Sequence, residues 1–416
     1  MTKNVMKNIW NILFLEGRPS IGLSFFRIFV ALTVGLHVIP SFFHLDDNYF
    51  SAALKTLNYD FFPASFINGV QKSPDGLVIF FVWAFYLTWF CFLIGLFAQI
   101  SCILMTACCY YFYALNDFHI GTLSWDILLV TLFLMCVTSY HGDYFSIDAL
   151  RRGDINAWRC PRPFFIQRLL QLQTASTFFF TGLYKITGTG NWITGNPVYY
   201  LMNYPVQGVT KNFLLKEWMA VHPHFCYATG LMIVATEMSM PFLLFIPKTR
   251  RAAIILGLCW HLLLVLTLDV PTIFLFLFPA QMLLFIYPQK ITAWIEAKRR
   301  INAQSPRPKI IYDGECGFCR ASIKRVQVMD LWGKLEYVPG PKGMSEMRLE
   351  LSDGRKYGGF FAFRQLAWIC PMLYPMIPVV YFPGSGILGP LVYQWVARNR
   401  YLFPVPHTCS VRSCHL

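Results

Sequence analysis

Long apolar runs broken by short polar or basic loops fill the first 290 residues, and short alternating stretches replace them afterwards. Crossing a bilayer takes roughly 20 predominantly apolar residues, fewer where neighbouring protein shields a helix. On that measure the sequence predicts spans at about 20–40, 77–98, 100–115, 125–141, 167–187, 224–247, 252–268 and 271–288. Ahead of them, Val5, Ile9, Ile12 and Leu13 fall near one another at helical spacing, away from Lys3 and Lys7. An amphipathic interfacial lead-in fits residues 1–18 better than a signal peptide, because a long apolar run follows without a small-residue cleavage site. Residues 296–307 form a basic, proline-containing linker. Beyond it the pattern predicts a strand at 308–312, a helix at 317–330, a strand at 335–339 and a hairpin around Ser352-Asp353-Gly354-Arg355. Helices at 359–370 and 389–398 complete the series. The fold class expected is an α-helical polytopic membrane bundle of about eight spans (1–295), followed by a small α/β domain (308–416).

Composition agrees with the membrane assignment. Only 13% of residues are charged, about half the share of a soluble domain. A net charge of +14 could suggest nucleic acid, but the Lys and Arg residues sit in loops beside apolar runs, which is a topology pattern, so no nucleic-acid partner is expected. If all eight segments cross, the basic connections 151–168, Lys248–Arg251 and 290–309 share a side with Lys3, Lys7 and Arg18. The positive-inside rule makes that side cytoplasmic. The expected location is a bacterial inner membrane with both termini cytoplasmic. That parity depends on segment 167–187, which carries Gln171, Gln173 and Lys185. Of thirteen cysteines, Cys91, Cys102, Cys108, Cys109, Cys136 and Cys259 lie in apolar runs as small packing residues.

Two cysteines differ from the rest. In Lys309-Ile-Ile-Tyr-Asp-Gly-Glu-Cys-Gly-Phe-Cys-Arg320 a strand meets an Asp-Gly turn and a Cys-x-x-Cys pair that opens a helix. Spacing i, i+3 on a first turn points both thiols the same way, and the helix N-terminus favours a thiolate at Cys316. Cys319 could then resolve a mixed disulfide. Asp313 and Glu315 would oppose that shift or accept a proton. The alternative is half of a zinc site completed by Cys409 and Cys414 with His407 or His415, but the strand–CxxC–helix context favours redox chemistry, and no metal is expected.

The run Tyr312-Asp-Gly-Glu-Cys-Gly-Phe-Cys319, with Tyr357-Gly-Gly-Phe-Phe-Ala362 and Val396-Ala-Arg-Asn-Arg-Tyr401, resembles the signature of the DCC family of thiol-disulfide oxidoreductases over about 308–405. The resemblance implies a thioredoxin-like fold, with Cys316 attacking, Cys319 resolving and Asp313 beside the substrate. Only about eight residues separate strand 335–339 from the hairpin, too few for a full helix, and no proline directly precedes the hairpin strand. Protein-disulfide reduction is therefore implied less directly than thiol redox activity.

Ionisable residues within apolar spans are costly and suggest function. Lys185, His261 and Asp269 qualify, with Lys185 and Asp269 toward the outer side on the eight-span topology and His119 in an outer loop. A buried lysine can serve as a general base, whereas one at the lipid boundary merely snorkels. His222 and His224 read as an exposed loop pair rather than metal ligands. The run Phe178-Phe-Phe-Thr-Gly-Leu-Tyr-Lys185, with Gly190-Asn-Trp192, Ser146-Ile-Asp148 and Cys259-Trp-His261, is similar to the HTTM domain of the vitamin K-dependent γ-carboxylase superfamily over about 15–290. That resemblance implies Lys185 as the base that deprotonates a quinol, His261 as a further site residue, and His119, Tyr184 and Trp192 as substrate contacts. The carboxylase's soluble C-terminal region is replaced by the DCC-like domain, so glutamate carboxylation does not follow. What remains is a membrane redox enzyme that links a CxxC pair to a quinone or hydroquinone, with the lipid bilayer and a thiol redox protein as partners. A carboxylase-like enzyme with a regulatory dithiol, and a non-enzymatic membrane protein with a zinc- or redox-sensing tail, are the alternatives.

Overall fold

A computed structural model describes residues 10–51, 53, 63–116, 122–188, 192–203, 211, 213–268 and 273–403. The chain divides into two compact units. The first comprises Met1–Gly17, Gly22–Gly142 and Arg162–Tyr287, and the second Arg18–Ile21, Asp143–Pro161 and Pro288–Leu416. The second unit thus takes in the basic connection 143–161 as well as the C-terminal region.

The first unit is helical: α1 (Ile21–Val38), α2 (Asp75–Ile94), α3 (Ala98–Leu115), α4 (Thr122–Cys136), α5 (Phe165–Thr187), α6 (Pro223–Phe245), α7 (Arg250–Thr267) and α8 (Ile273–Leu283). Its core is aromatic, with Phe42, Phe85 and Phe112 edge-on or tilted to one another. The α2–α3 turn closes at Gly95, whose φ of 68° is the left-handed conformation that ends a helix, and Leu96 N–H donates to the Cys91 carbonyl at 2.8 Å. Gly35 admits Trp89, whose indole Nε1 donates to the Ala31 carbonyl at 2.7 Å.

The expected count of eight spans is not reached. Among the described residues five helices are long and apolar enough to cross a membrane: Ile21–Asn48, Asp75–Ile94, Ala98–Leu115, Pro223–Phe245 and Arg250–Thr267. A sixth arises only if a bent pair near the C-terminus is one span. α5 has the length, 23 residues, but Gln167, Arg168, Gln171, Gln173 and Lys185 make it too polar. The apolar part of α4, Asp126–Cys136, and the 11 residues of α8 are short. Helix parity therefore no longer fixes which side the termini occupy.

The second unit holds α9 (Pro288–Gln304), β1 (Lys309–Asp313), α10 (Gly317–Met329), β2 (Glu336–Gly340), β3 (Arg348–Glu350), β4 (Lys356–Gly358), α11 (Gly359–Ile369), α12 (Ile377–Val380) and α13 (Ser385–Arg398). The segment expected to be a linker is helical as far as Gln304. The sheet order is β2-β1-β3-β4, with β1 parallel to β2 and antiparallel to β3, and β3 antiparallel to β4. Ile310 and Leu349 pair across it and pack on Ile323, Val326, Ala362 and Leu366 of the flanking helices. No helix lies between β2 and β3, as the short connection predicts. The start of the helix Ile147–Arg152 is capped by Ser146, whose hydroxyl accepts the Ala149 N–H at 3.0 Å. Tyr144 donates to the Val328 carbonyl, and Arg299 of α9 donates to the carbonyls of Asp330 and Leu331 at 3.1 Å, closing the end of α10.

Candidate functional site

The dithiol is built by one local sequence device. β1 ends at Asp313, and one carboxylate oxygen accepts the N–H groups of Glu315 at 3.0 Å and Cys316 at 3.1 Å. This is the Asx-turn geometry that an Asp-Gly pair favours. Gly314 fits because a Cβ there would stand 2.9 Å from Pro339. The other oxygen accepts Gly343 N–H at 2.9 Å, tying in the loop after β2. Cys316 follows as the N-cap of α10, and its sulfur accepts the Cys319 N–H at 3.4 Å. Both thiols therefore meet at the helix N-terminus, where the unpaired N–H groups and the dipole stabilise negative charge.

Arg400 closes the site from the far end of the chain. Its guanidinium lies 3.5 Å from the Asp313 carboxylate and 3.9 Å from Cys319 Sγ, and it donates to the Met344 carbonyl at 2.8 Å. The Asp313 carboxyl is covered, which raises its pKa, but the three backbone donors and Arg400 outweigh that effect and hold it below the ordinary value. With both oxygens committed, Asp313 fastens the loop and has little capacity left as a proton acceptor. Burial, together with the hydrogen bond and charge of Cys316, pushes Cys319 up to about 12 despite Arg400. Cys319 thus stays a protonated thiol near neutrality, which suits a resolving group. Phe318, between the cysteines, packs on Phe403 at 5.4 Å between centroids, and Phe403 meets Trp395. Cys316 itself is only 8% exposed.

A second constellation lies in the helical unit. Lys185 Nζ sits 2.7 Å from both carboxylate oxygens of Glu237 and 5.2 Å from the Trp192 ring centroid. The approach of α5 to α6 makes this pair possible, because a Cβ at Gly182 would stand 2.9 Å from Met238 Sδ and 3.2 Å from Glu237 Cβ. Trp192 packs near Gly230, two turns before Glu237 on α6. His261 is buried against Phe178 and Phe278 at 5.9 and 5.0 Å, and its Nδ1 donates to the Gly257 carbonyl at 2.6 Å. Phe178 and Lys185 share a face of α5, seven residues apart, so the two candidates stand about two turns from each other. Lys185 pairs with Glu237 rather than with His261. Tyr184 points outward at 67% exposure. His119, Asp269, Cys409, Cys414, His407 and His415 lie outside the described residues.

The sequence reading missed Glu237 and gave Arg400 no role. The signal for Glu237 was present: it is the lone carboxylate in an apolar run of 23 residues. Arg400 lies 81 residues from Cys319, and only the fold brings them together.

Comparison with known proteins extends this picture. The DCC1-like thiol-disulfide oxidoreductase family matches residues 310–405, and the HTTM domain family matches residues 18–289, well over half of the chain. No curated protein and no solved structure matches. This chain belongs to the HTTM family and carries a DCC1-like thiol-disulfide oxidoreductase domain after its HTTM domain.

Proposed function

We propose that this protein is a membrane oxidoreductase in which the Cys316–Cys319 dithiol exchanges two electrons with a quinone-type substrate handled by the helical unit. The observation that carries the reading is the N-terminal turn of α10, where Cys316 Sγ accepts the Cys319 N–H beside Arg400. In the forward direction two thiols and a quinone give a disulfide and a quinol: the S–S bond forms, and the quinone takes up two electrons and two protons. The βαβ–ββα order of the sheet supports a thioredoxin-like fold for this domain. The aromatic rim of Phe318 and Phe403 suits a planar apolar partner better than a bulky protein disulfide. In the helical unit, Lys185 Nζ, paired with Glu237 and faced by Trp192, supports a role in binding a quinone oxygen by hydrogen bonding. That pairing supports quinone binding over a carboxylase-like role, which needs a free amine as base. The basic connection 290–309 directly before the domain supports, by the positive-inside rule, a dithiol facing the cytoplasm of a bacterial inner membrane.

The test is a redox titration of the purified, reduced full-length protein with naphthoquinone or ubiquinone analogues, following quinone absorbance and free thiols together. Stoichiometric loss of two thiols per quinol, abolished in Cys316→Ser/Cys319→Ser, is expected. A dithiol that exchanges electrons with neither quinone overturns the coupling. If the double variant keeps a quinol-dependent modifying activity, the dithiol is regulatory instead.

A further inference from the structure

α13 carries two opposite faces. Gly389 and Tyr393 hold it to the domain: a Cβ at Gly389 would stand 2.3 Å from the Phe360 ring, and the Tyr393 hydroxyl accepts the Met347 N–H at 3.0 Å. The other face presents Ile387, Leu388, Leu391, Val392 and Trp395, each 59–73% exposed. Val379 and Phe382, ahead of the helix, extend the patch at 61% and 68%. A patch of this size on a soluble domain marks a binding surface.

Three observations say what covers it. Pro371–Val380 and Ser385–Arg398 are together apolar enough for a membrane span, yet they bend by 113° around Gly384, whose φ is 92°. The 14 residues of α13 reach about 21 Å, short of the ~30 Å hydrocarbon core. The pair therefore suits the surface of a bilayer and not a crossing. Secondly, residues 359–416 hold no Asp or Glu, and Arg398 at the end of α13 is exposed. A carboxylate-free, basic segment complements anionic headgroups. Thirdly, exposed Trp395 and Tyr401 stand beside Arg398 at the end of the stripe, the aromatic and basic pairing typical of a membrane interface. The five membrane-length helices of the same chain keep a bilayer always within its reach.

We infer that the bent α12–α13 pair is an interfacial anchor whose apolar face seats in the acyl boundary of an anionic bilayer, holding the dithiol domain at the lipid surface. The chain leaving α13 returns at once to the thiols through Arg400 and Phe403, so the end of the anchor leads directly to the redox pair. Access of the dithiol to a lipid-dissolved substrate is a consequence that rests on the function proposed above; the anchoring does not.

The test uses the full chain in nanodiscs of phosphatidylcholine with or without phosphatidylglycerol, a carbene-generating probe confined to the acyl region, and peptide mass spectrometry. Labelling of 384–398 is expected to match that of the outward face of α2 (Phe80, Leu87), with α10 unlabelled. Removing the anionic lipid is expected to lower it about fivefold, the effect of roughly one basic contact. Leu388→Gln/Leu391→Gln, which alters only exposed side chains, is expected to lose the label while α2 keeps it. Labelling of 384–398 no higher than that of α10 in both discs overturns the anchor, as does a double variant labelled like the parent. Equal labelling in the two lipids overturns its anionic preference. None of these outcomes depends on thiol chemistry, so failure here is separate from failure of the quinone titration.

Discussion

Replacing Glu237 with Gln should unfold the helical unit far more readily than a surface change would. The carboxylate holds Lys185 Nζ through both oxygens at 2.7 Å, and the side chains are 11% and 19% exposed. Taking away one partner of a buried pair leaves a charge without compensation and costs about 3–5 kcal/mol. The Trp192 face offsets part of this, since a desolvated cation–π contact contributes about 2 kcal/mol. The net loss is then about 1–3 kcal/mol, or about 2–12 °C in Tm for a unit of this size. Thermal unfolding of the full chain in nanodiscs, read by tryptophan fluorescence, would measure it. The decisive arm is the apolar replacement Lys185→Met/Glu237→Leu. A buried pair exchanged for packed hydrophobic side chains is often neutral or stabilising, so this double variant should recover most of the stability. If it is as damaged as the two single losses added together, the residues are not coupled, and the ion pair as described is wrong.

Three further outcomes follow from the dithiol site. Cys316→Ala removes the neighbour that, after burial, does most to raise Cys319, so the pH midpoint of Cys319 alkylation should fall from about 12 toward the ordinary 9.0; an unchanged midpoint would show that burial alone sets it. Arg400→Gln deletes the cation beside both Asp313 and Cys319, and thiol–disulfide exchange in stopped flow should slow about tenfold, the loss of one charge-assisted contact of roughly 1.5 kcal/mol, with Arg400→Lys partly restoring it. The Asp313 carboxyl titrates below the ordinary 3.8 in the folded domain. Its stabilisation of the loop is therefore complete above that value and lost as pH falls through the lower folded one. Asp313→Asn should flatten the acid limb of the domain's unfolding profile, measured by hydrogen exchange at Glu315, Cys316 and Gly343.

Local devices were readable in the sequence, and long-range ones were not. Strand, Asp-Gly turn and N-capping cysteine lie within eight consecutive residues, and each follows from backbone chemistry that no distant contact overrides. The sheet followed too, because a five-residue apolar strand and an Asp-Gly hairpin leave few pairings open. The count of eight spans is not confirmed where polarity and helicity part company: α5 is one continuous helix, yet Gln167 and Gln171 donate to the Leu284 carbonyl and Gln173 to that of Ile127, inside the unit. Lys185 could be singled out as a costly charge, but its partner lies 52 residues away. Only the close approach at Gly182, itself a consequence of packing, selects Glu237. The sharp bend at Gly384 likewise turned what read as one short C-terminal helix into a hairpin with an open apolar side.

On the proposed quinone reading, the two constellations would divide the work of a two-electron, two-proton reaction. Oxidising the dithiol releases two protons, yet neither oxygen of Asp313 is open to receive one, since three N–H groups and Arg400 occupy them. Those protons leave to water or to the substrate itself. On the proposed reading, a quinone held in the helical unit would be hydrogen-bonded by Lys185 Nζ beside Glu237 while it is reduced. Such a division needs no fixed wire between the sites. It needs a carrier soluble in lipid and a dithiol held where lipid begins, and the apolar face of α13, which ends just before the Arg400 that lies beside Cys319, would meet that second requirement.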